Sequence, residues 1–202
     1  MTRLVVTSDV HGSYSTWLTL KDILTPEDSL AVAGDLFGTR YPIYGHADYQ
    51  PERILEELKD FPNQFYFVYG NCDRASFSPG YENHLKFDFM EWKIFLHHGD
   101  RYFKQLPQDI IFPDVNLVIQ GHTHVFALKN ITYDISSDGE PHNSFHNCQK
   151  QMILLNPGSL ASPRTHFYTY AVVDNNVIDI IDIKTAASLK SISVTKTISK
   201  QS

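Results

Sequence analysis

Residues 3–12, RLVVTSDVHG, set an apolar run directly before Asp9-Val10-His11-Gly12. The run Arg3-Leu4-Val5-Val6-Thr7-Ser8 is short, apolar and rich in β-branched residues, which reads as a buried strand. Polar residues that follow such a strand stand at its carboxyl end. The same arrangement recurs along the chain. Leu30-Ala31-Val32-Ala33 leads into Gly34-Asp35, and the strand 64–69 into Gly70-Asn71-Cys72-Asp73. The strand 92–97 leads into His97-His98-Gly99-Asp100, and Asn116-Leu117-Val118-Ile119 into Gly121-His122-Thr123-His124. Met152-Ile153-Leu154-Leu155 runs into Asn156-Pro157-Gly158-Ser159.

Between the early strands the apolar period changes to that of a helix. Residues 14–24 carry apolar side chains at helical spacing and stop before Pro26. Pro51 opens a second helix over 51–61, with Ile54, Leu55 and Leu58 on one face. A β-α-β-α-β order implies right-handed crossovers and a mainly parallel sheet. The second half is richer in strands. Residues 85–90 and 92–97 read as a hairpin turning near Glu91, and 125–135 as another strand pair. Residues 167–173 and 177–183 read as a hairpin turning at Asp174-Asn175-Asn176. The expected fold class is α/β: two packed mixed sheets with flanking helices, a four-layer α/β/β/α sandwich. One domain is expected over 1–183, with 136–150 as a polar surface hairpin insertion. Residues 184–202 are expected to form a C-terminal tail or an edge strand.

The 202 residues suit one sizeable core, and 42% hydrophobic with 20% charged residues is the balance of a globular chain. A net charge of −6 disfavours strong nucleic-acid binding, which rests on a basic surface. No apolar run is long enough to span a bilayer, so no membrane partner is expected. The first residues lack the apolar core of a signal peptide, and a cytoplasmic location is expected. The cysteines are too few for a disulfide framework. Neither a Cys72–Cys148 bridge nor a zinc site of His142, His146 and Cys148 is favoured, the latter because it lacks a fourth ligand.

The strand ends collect Asp9, His11, Asp35, Asn71, His98, His122 and His124, a mixed oxygen and nitrogen set. Ligands in α/β sheets sit at the carboxyl ends of strands. Glycine beside these residues lets the backbone turn sharply and lets a substrate approach closely. One zinc needs about three or four ligands, so this set suits two ions. Two divalent ions against two carboxylates leave the site positive by about two charges. An acidic protein can thereby attract a phosphate ester at one place.

In these motifs, D-x-H, GD, GN-x-D, HG and GHTH, the chain resembles the calcineurin-like metallophosphoesterases. Cysteine in GNCD and NPGS followed by Pro163-Arg164 resemble the small YfcE-like phosphodiesterases. The resemblance spans about residues 1–183. It implies that Asp9, His11 and His124 bind one metal, that Asn71, His98 and His122 bind the other, and that Asp35 bridges both. It further implies hydrolysis of a small phosphodiester by a hydroxide held between two divalent ions. Mn²⁺ is expected for carboxylate plus imidazole ligands, with Fe, Zn, Ni and Mg as the other ions such a set accommodates. Asn71, Cys72 and Asp73 form the expected catalytic stretch. Cys72 stands where many relatives have a histidine near the leaving group, and Asp73 is placed to orient it. Arg40 is the candidate for substrate phosphate, with Arg164 beside it. Tyr44 and His46 are candidate pocket residues.

Two departures bear on substrate. Asp35 is followed by Leu36-Phe37-Gly38, without the second aspartate of many relatives, and HGD replaces HGH at His98-Gly99-Asp100. His98 is taken as the ligand because it directly precedes glycine, whereas His97 faces the opposite side of the strand. A phosphomonoesterase or protein phosphatase is the first alternative. A non-catalytic scaffold is the second, since a retromer subunit shares this fold. An exposed sheet edge is compatible with a homodimer.

Overall fold

The structure is a computed structural model that describes residues 2–41, 47–101, 114–135 and 148–193. The expectations for Tyr44, His46, His142, His146 and most of the 136–150 loop lie outside these residues.

β1 (Leu4–Thr7), β2 (Ser29–Val32) and β3 (Gln64–Phe67) are parallel neighbours. α1 (Tyr14–Ile23) and α2 (Pro51–Leu58) are the helices between them. Ser13 caps α1 by accepting the Thr16 amide, and Leu24 ends it in extended backbone just before Pro26. Pro51 supplies the first turn of α2. The sheet continues on the other side of β1 with β9 (Thr169–Val173), β10 (Val177–Asp182) and β11 (Ser188–Ser193), all antiparallel. β9 and β10 turn where Asp174 Oδ1 accepts the amides of Asn176 and Val177. β11 forms the outer edge.

The second sheet runs β4 (His84–Phe89), β5 (Trp92–His97), β6 (Leu117–Ile119), β8 (Cys148–Asn156), β7 (Ala127–Ile135). Its centre, β5-β6-β8, is parallel, with antiparallel strands at both edges. The 125–135 stretch corrects the sequence expectation. It is one strand, pairing with β8 from Ala127↔Asn156 to Ile135↔Cys148. Lys129, Asn130 and Thr132 imitate a break in the apolar pattern, but they are the exposed positions of an edge strand.

Alternation along each strand builds the layers. Leu4, Val6, Ala31, Ile94, Leu96, Leu117, Ile119 and Leu155 fill the space between the sheets. Val5, Leu30, Val32 and Phe67 point the other way, onto Trp17, Leu20 and Ile54 of the helices. Glu57 of α2 ties the two helices, accepting from Trp17 Nε1 at 2.8 Å, Lys21 Nζ at 2.5 Å and the Tyr14 hydroxyl. Both described helices cover the first sheet. Among the described residues, no helix covers the second sheet. Central strands buried on both faces leave polar chemistry only at their ends, and the carboxyl ends of β1, β2, β3, β5 and β6 converge on one edge of the sandwich.

Candidate metal centre

Asp9, His11, Asp35, His122 and His124 all have positive φ, between 50° and 69°. This left-handed region is uncommon for non-glycine residues and clusters at functional sites. Each chain reversal at a strand end turns its side chain back over the sheet edge. Neighbouring glycines make the room. A Cβ on Gly34 would lie 2.4 Å from His98 Nδ1, and one on Gly70 would lie 2.0 Å from Asp35 Oδ1.

Two groups of side chains result. In the first, His11 Nε2 and His124 Nε2 are 3.3 Å apart, and Asp9 Oδ1 is 3.2 Å from His124 Nε2. In the second, Asn71 Oδ1 is 3.0 Å from His98 Nε2 and 2.8 Å from His122 Nδ1. Asp35 stands between the groups. Its Oδ1 accepts the Cys72 amide at 2.7 Å, while Oδ2 is 3.3 Å from His98 Nε2 and 3.9 Å from His11 Nε2.

Backbone carbonyls orient the rings. His98 Nδ1 lies 2.8 Å from the Ala33 carbonyl, and His124 Nδ1 lies 2.6 Å from the Ser162 carbonyl. A carbonyl can only accept, so each Nδ1 carries the proton and each Nε2 faces the cluster. Asn71 Nδ2 donates to Cys72 Sγ at 3.2 Å, which turns Asn71 Oδ1 toward the histidines. The centre therefore gathers carboxylate oxygens, an amide oxygen and ring nitrogens around a common space. Asp9 Oδ1 is fully buried there, at the end of no well-aligned hydrogen bond. Its other oxygen accepts from Ser8 Oγ at 2.7 Å and the His122 amide at 3.0 Å. Such a surplus of acceptors fits positive charge.

Without a cation, protons must supply that charge. Burial by itself lowers the basicity of His98, but its contact with Asp35 overrides this and raises its pKa to about 9. Burial raises Asp35, and the His98 contact outweighs it, holding the carboxyl at about 2. His124 is also raised, because Asp9 outweighs its burial. A metal ion would occupy the seat these protons hold, releasing them on binding. Asp9, His11 and His124 could hold one ion, and Asn71, His98 and His122 another, with Asp35 Oδ2 within reach of both.

The chain matches the calcineurin-like phosphoesterase superfamily domain over residues 2–176. It belongs to that superfamily. YfcE, a phosphoesterase from E. coli, is a similar solved structure, with a TM-score of 0.69 at 21% identity, covering 96% of this chain and all of that one. Vacuolar Protein Sorting 29 from Cryptosporidium parvum has a TM-score of 0.59 at 16% identity, covering 95% of this chain and 98% of its own. The Entamoeba histolytica Vps29 complexed with Zn²⁺ has a TM-score of 0.55 at 16% identity, covering 95% and 98%. Comparison with curated proteins gives no match.

The other expected residues of this superfamily member fall in distinct places. Asp73 is buried, and its oxygens accept the amides of Phe37, Gly38 and Gly70, so it braces the loops that carry Asp35 and Asn71. Burial first, then Asp35, raises its pKa to about 6. Cys72 is a free, half-buried thiol raised to about 12 by burial and then by the nearby carboxylates Asp35, Asp73 and Asp9. Arg40 is exposed, and its amide donates to the Cys72 carbonyl at 2.7 Å. Asp100 lies near enough to His122 for its charge to favour the protonated ring. His97 is buried with its ring 5.2 Å from Phe95, on the far side of β5 from His98. Sequence reasoning missed three supports: Ser8 on Asp9, Ser159 Oγ donating to the Asp9 carbonyl at 2.9 Å, and Asn156 Nδ2 donating to the Gly121 carbonyl at 2.8 Å. The NPGS stretch signalled two of them, because it too stands at a strand end.

Proposed function

We propose that this chain is a metal-dependent phosphodiesterase with a dinuclear centre of divalent ions, Mn²⁺ first among them. The observation that carries the reading is Asp35, whose Oδ2 lies within reach of both histidine groups. Two divalent cations, when bound, supply an activated water at neutral pH and positive charge for the phosphoryl oxygens. Asp9, His11 and His124 would hold one, Asn71, His98 and His122 the other, and Asp35 would join them. The Ala33 and Ser162 carbonyls keep His98 and His124 aimed inward. Asp73 holds the Asp35 and Asn71 loops in register.

Preference for a diester follows from charge. A monoester dianion needs added cationic groups, whereas Asp100 adds a carboxylate near His122. Beside two bound cations the Cys72 thiol is drawn toward thiolate, a poor proton donor, which favours good leaving groups. Arg40, beside Cys72, would meet the substrate phosphate. We place this activity in one domain over 1–183 and in the cytoplasm. No helix among the described residues is long and apolar enough to cross a membrane.

The test is turnover of bis-p-nitrophenyl phosphate against p-nitrophenyl phosphate by metal-stripped protein with Mn²⁺, Ni²⁺, Mg²⁺ or Zn²⁺ restored. Diester cleavage that needs metal and is lost in Asp35→Asn and His98→Ala is the expected result. Preference for the monoester would favour a phosphatase. Folded protein that binds two ions and turns over neither ester would favour a scaffold, the reading raised by the similarity to Vps29 structures.

A further inference from the structure

An open groove of about 460 Å³ is lined by Phe126, Pro163, Arg164, Thr165, His166 and Phe167. Its volume is in the range of small-molecule sites. Two bonds fasten it to a candidate ligand. The Arg164 amide donates to the His124 carbonyl at 3.1 Å, and His124 Nδ1 donates to the Ser162 carbonyl at 2.6 Å. The groove is thereby positioned by the same residue that faces the metal cluster. The Arg164 charge also reaches the His124 ring, opposing its protonation.

The lining is aromatic and cationic. Phe126 and Phe167 meet edge to face at 6.1 Å and 73°, yet Phe167 remains 42% exposed. Thr165 holds Phe167 in place, its hydroxyl donating to the Phe167 carbonyl at 3.1 Å and accepting the Phe167 amide at 3.3 Å. Single exposed apolar residues need no explanation. Two rings sharing a concavity with a guanidinium and an imidazole match one ligand chemistry. A flat π-system stacks on phenyl rings and on guanidinium alike. An acyl chain would instead strip water from Arg164, Thr165 and His166 without replacing their hydrogen bonds.

We propose that this groove holds the aromatic, nucleoside-like arm of the diester, with Arg164 spanning that ring and the phosphate at the metal centre. The proposal rests on the phosphodiesterase reading and names its substrate class. It makes Phe167 and Arg164 specificity residues.

The test uses the full chain loaded with Mn²⁺. Phenylphosphonate and methylphosphonate serve as non-hydrolysable probes in calorimetry. Thymidine 5′-(p-nitrophenyl phosphate) and methyl p-nitrophenyl phosphate serve as substrates with one leaving group. The aromatic member of each pair should be favoured about tenfold, in Kd and in kcat/KM, the lower range for one stacked base. Phe167→Ala should bring both ratios within about twofold, and Phe167→Tyr, which keeps the ring, should restore them. Equal binding of the two phosphonates, or ratios that survive Phe167→Ala, overturns the proposal. Protein that prefers phenylphosphonate but cleaves neither ester supports the groove and overturns the phosphodiesterase reading.

Discussion

Gly70→Ala isolates the close packing on which the centre depends. Gly70 is not among the glycines with positive φ, so alanine carries no backbone penalty there. The added methyl would lie 2.0 Å from Asp35 Oδ1 and 2.5 Å from the Asp35 amide, against a closest real approach of about 3.0 Å. The difference, 3.0 − 2.0, requires Asp35 to move by at least about 1 Å. A displacement of about 1 Å at a reacting centre costs on the order of 100-fold in rate. Overpacking a buried site costs about 1–3 kcal/mol of stability, or a few degrees in Tm per kcal/mol for a chain of this size. The assay pairs calorimetric Mn²⁺ titration with thermal melting of metal-free protein. Gly80→Ala is the control, because its added Cβ meets nothing within 4 Å, although its φ of +99° adds local strain. We expect Gly70→Ala to weaken metal binding and Gly80→Ala to leave it intact. Wild-type metal affinity and Tm in Gly70→Ala would refute the claim that Asp35 is held by contact with a bare backbone.

Asp28 gives a test at acid pH. Arg3 Nη2 sits 2.5 Å from Asp28 Oδ2, and the Thr25 amide donates to the same oxygen at 2.9 Å. Burial would raise the carboxyl, but Arg3 and Thr25 override it and hold it at about 2 rather than 3.8. A depressed folded-state pKa stabilises fully above the unfolded value and loses that contribution as pH falls through the folded one. Stability should therefore drop between about pH 4 and 2, and Asp28→Asn should flatten that drop while costing about 1 kcal/mol at neutral pH, after allowance for the partly exposed Arg3. Urea titrations at several pH values measure both. Cys72→Ser should change kcat for p-nitrophenyl diesters less than about threefold, since loss of a true general acid costs on the order of 10²–10⁴. Rates across leaving groups of different pKa decide this, and a steeper dependence in the variant would show that the thiol protonates them.

Much of the centre could be read from strand-end chemistry. Asp9, Asp35, Asn71, His98 and His122 each follow an apolar run, and strand ends are local features with local signals. The helices were legible through Pro26 and Pro51, although α2 stops at Leu58. The β7 stretch was misread because exposed Lys129 and Asn130 imitate a turn. Edge strands alternate with solvent, and a short window cannot tell that from a break. Asp73 looked like a partner of Cys72, but its oxygens are taken by amides of Phe37, Gly38 and Gly70. Such bonds join residues far apart in the chain and leave no local mark.

By itself, the sequence determined which side chains would meet at one edge of a sandwich. Central strands buried on both faces can carry polar residues only where they end. Tertiary structure decided how those side chains face one another. The left-handed backbone at five strand-end residues, the Ala33 and Ser162 carbonyls behind His98 and His124, and Asp35 between the two groups all depend on contacts across separate strands. The Phe126–Phe167 groove is of the same kind, because the loop that carries Phe167 is fastened to His124 by the Arg164 amide and the Ser162 carbonyl, bonds that exist only in the folded chain. Composition selects the donors, but their directions are set by packing, where a shift of about 1 Å changes the chemistry.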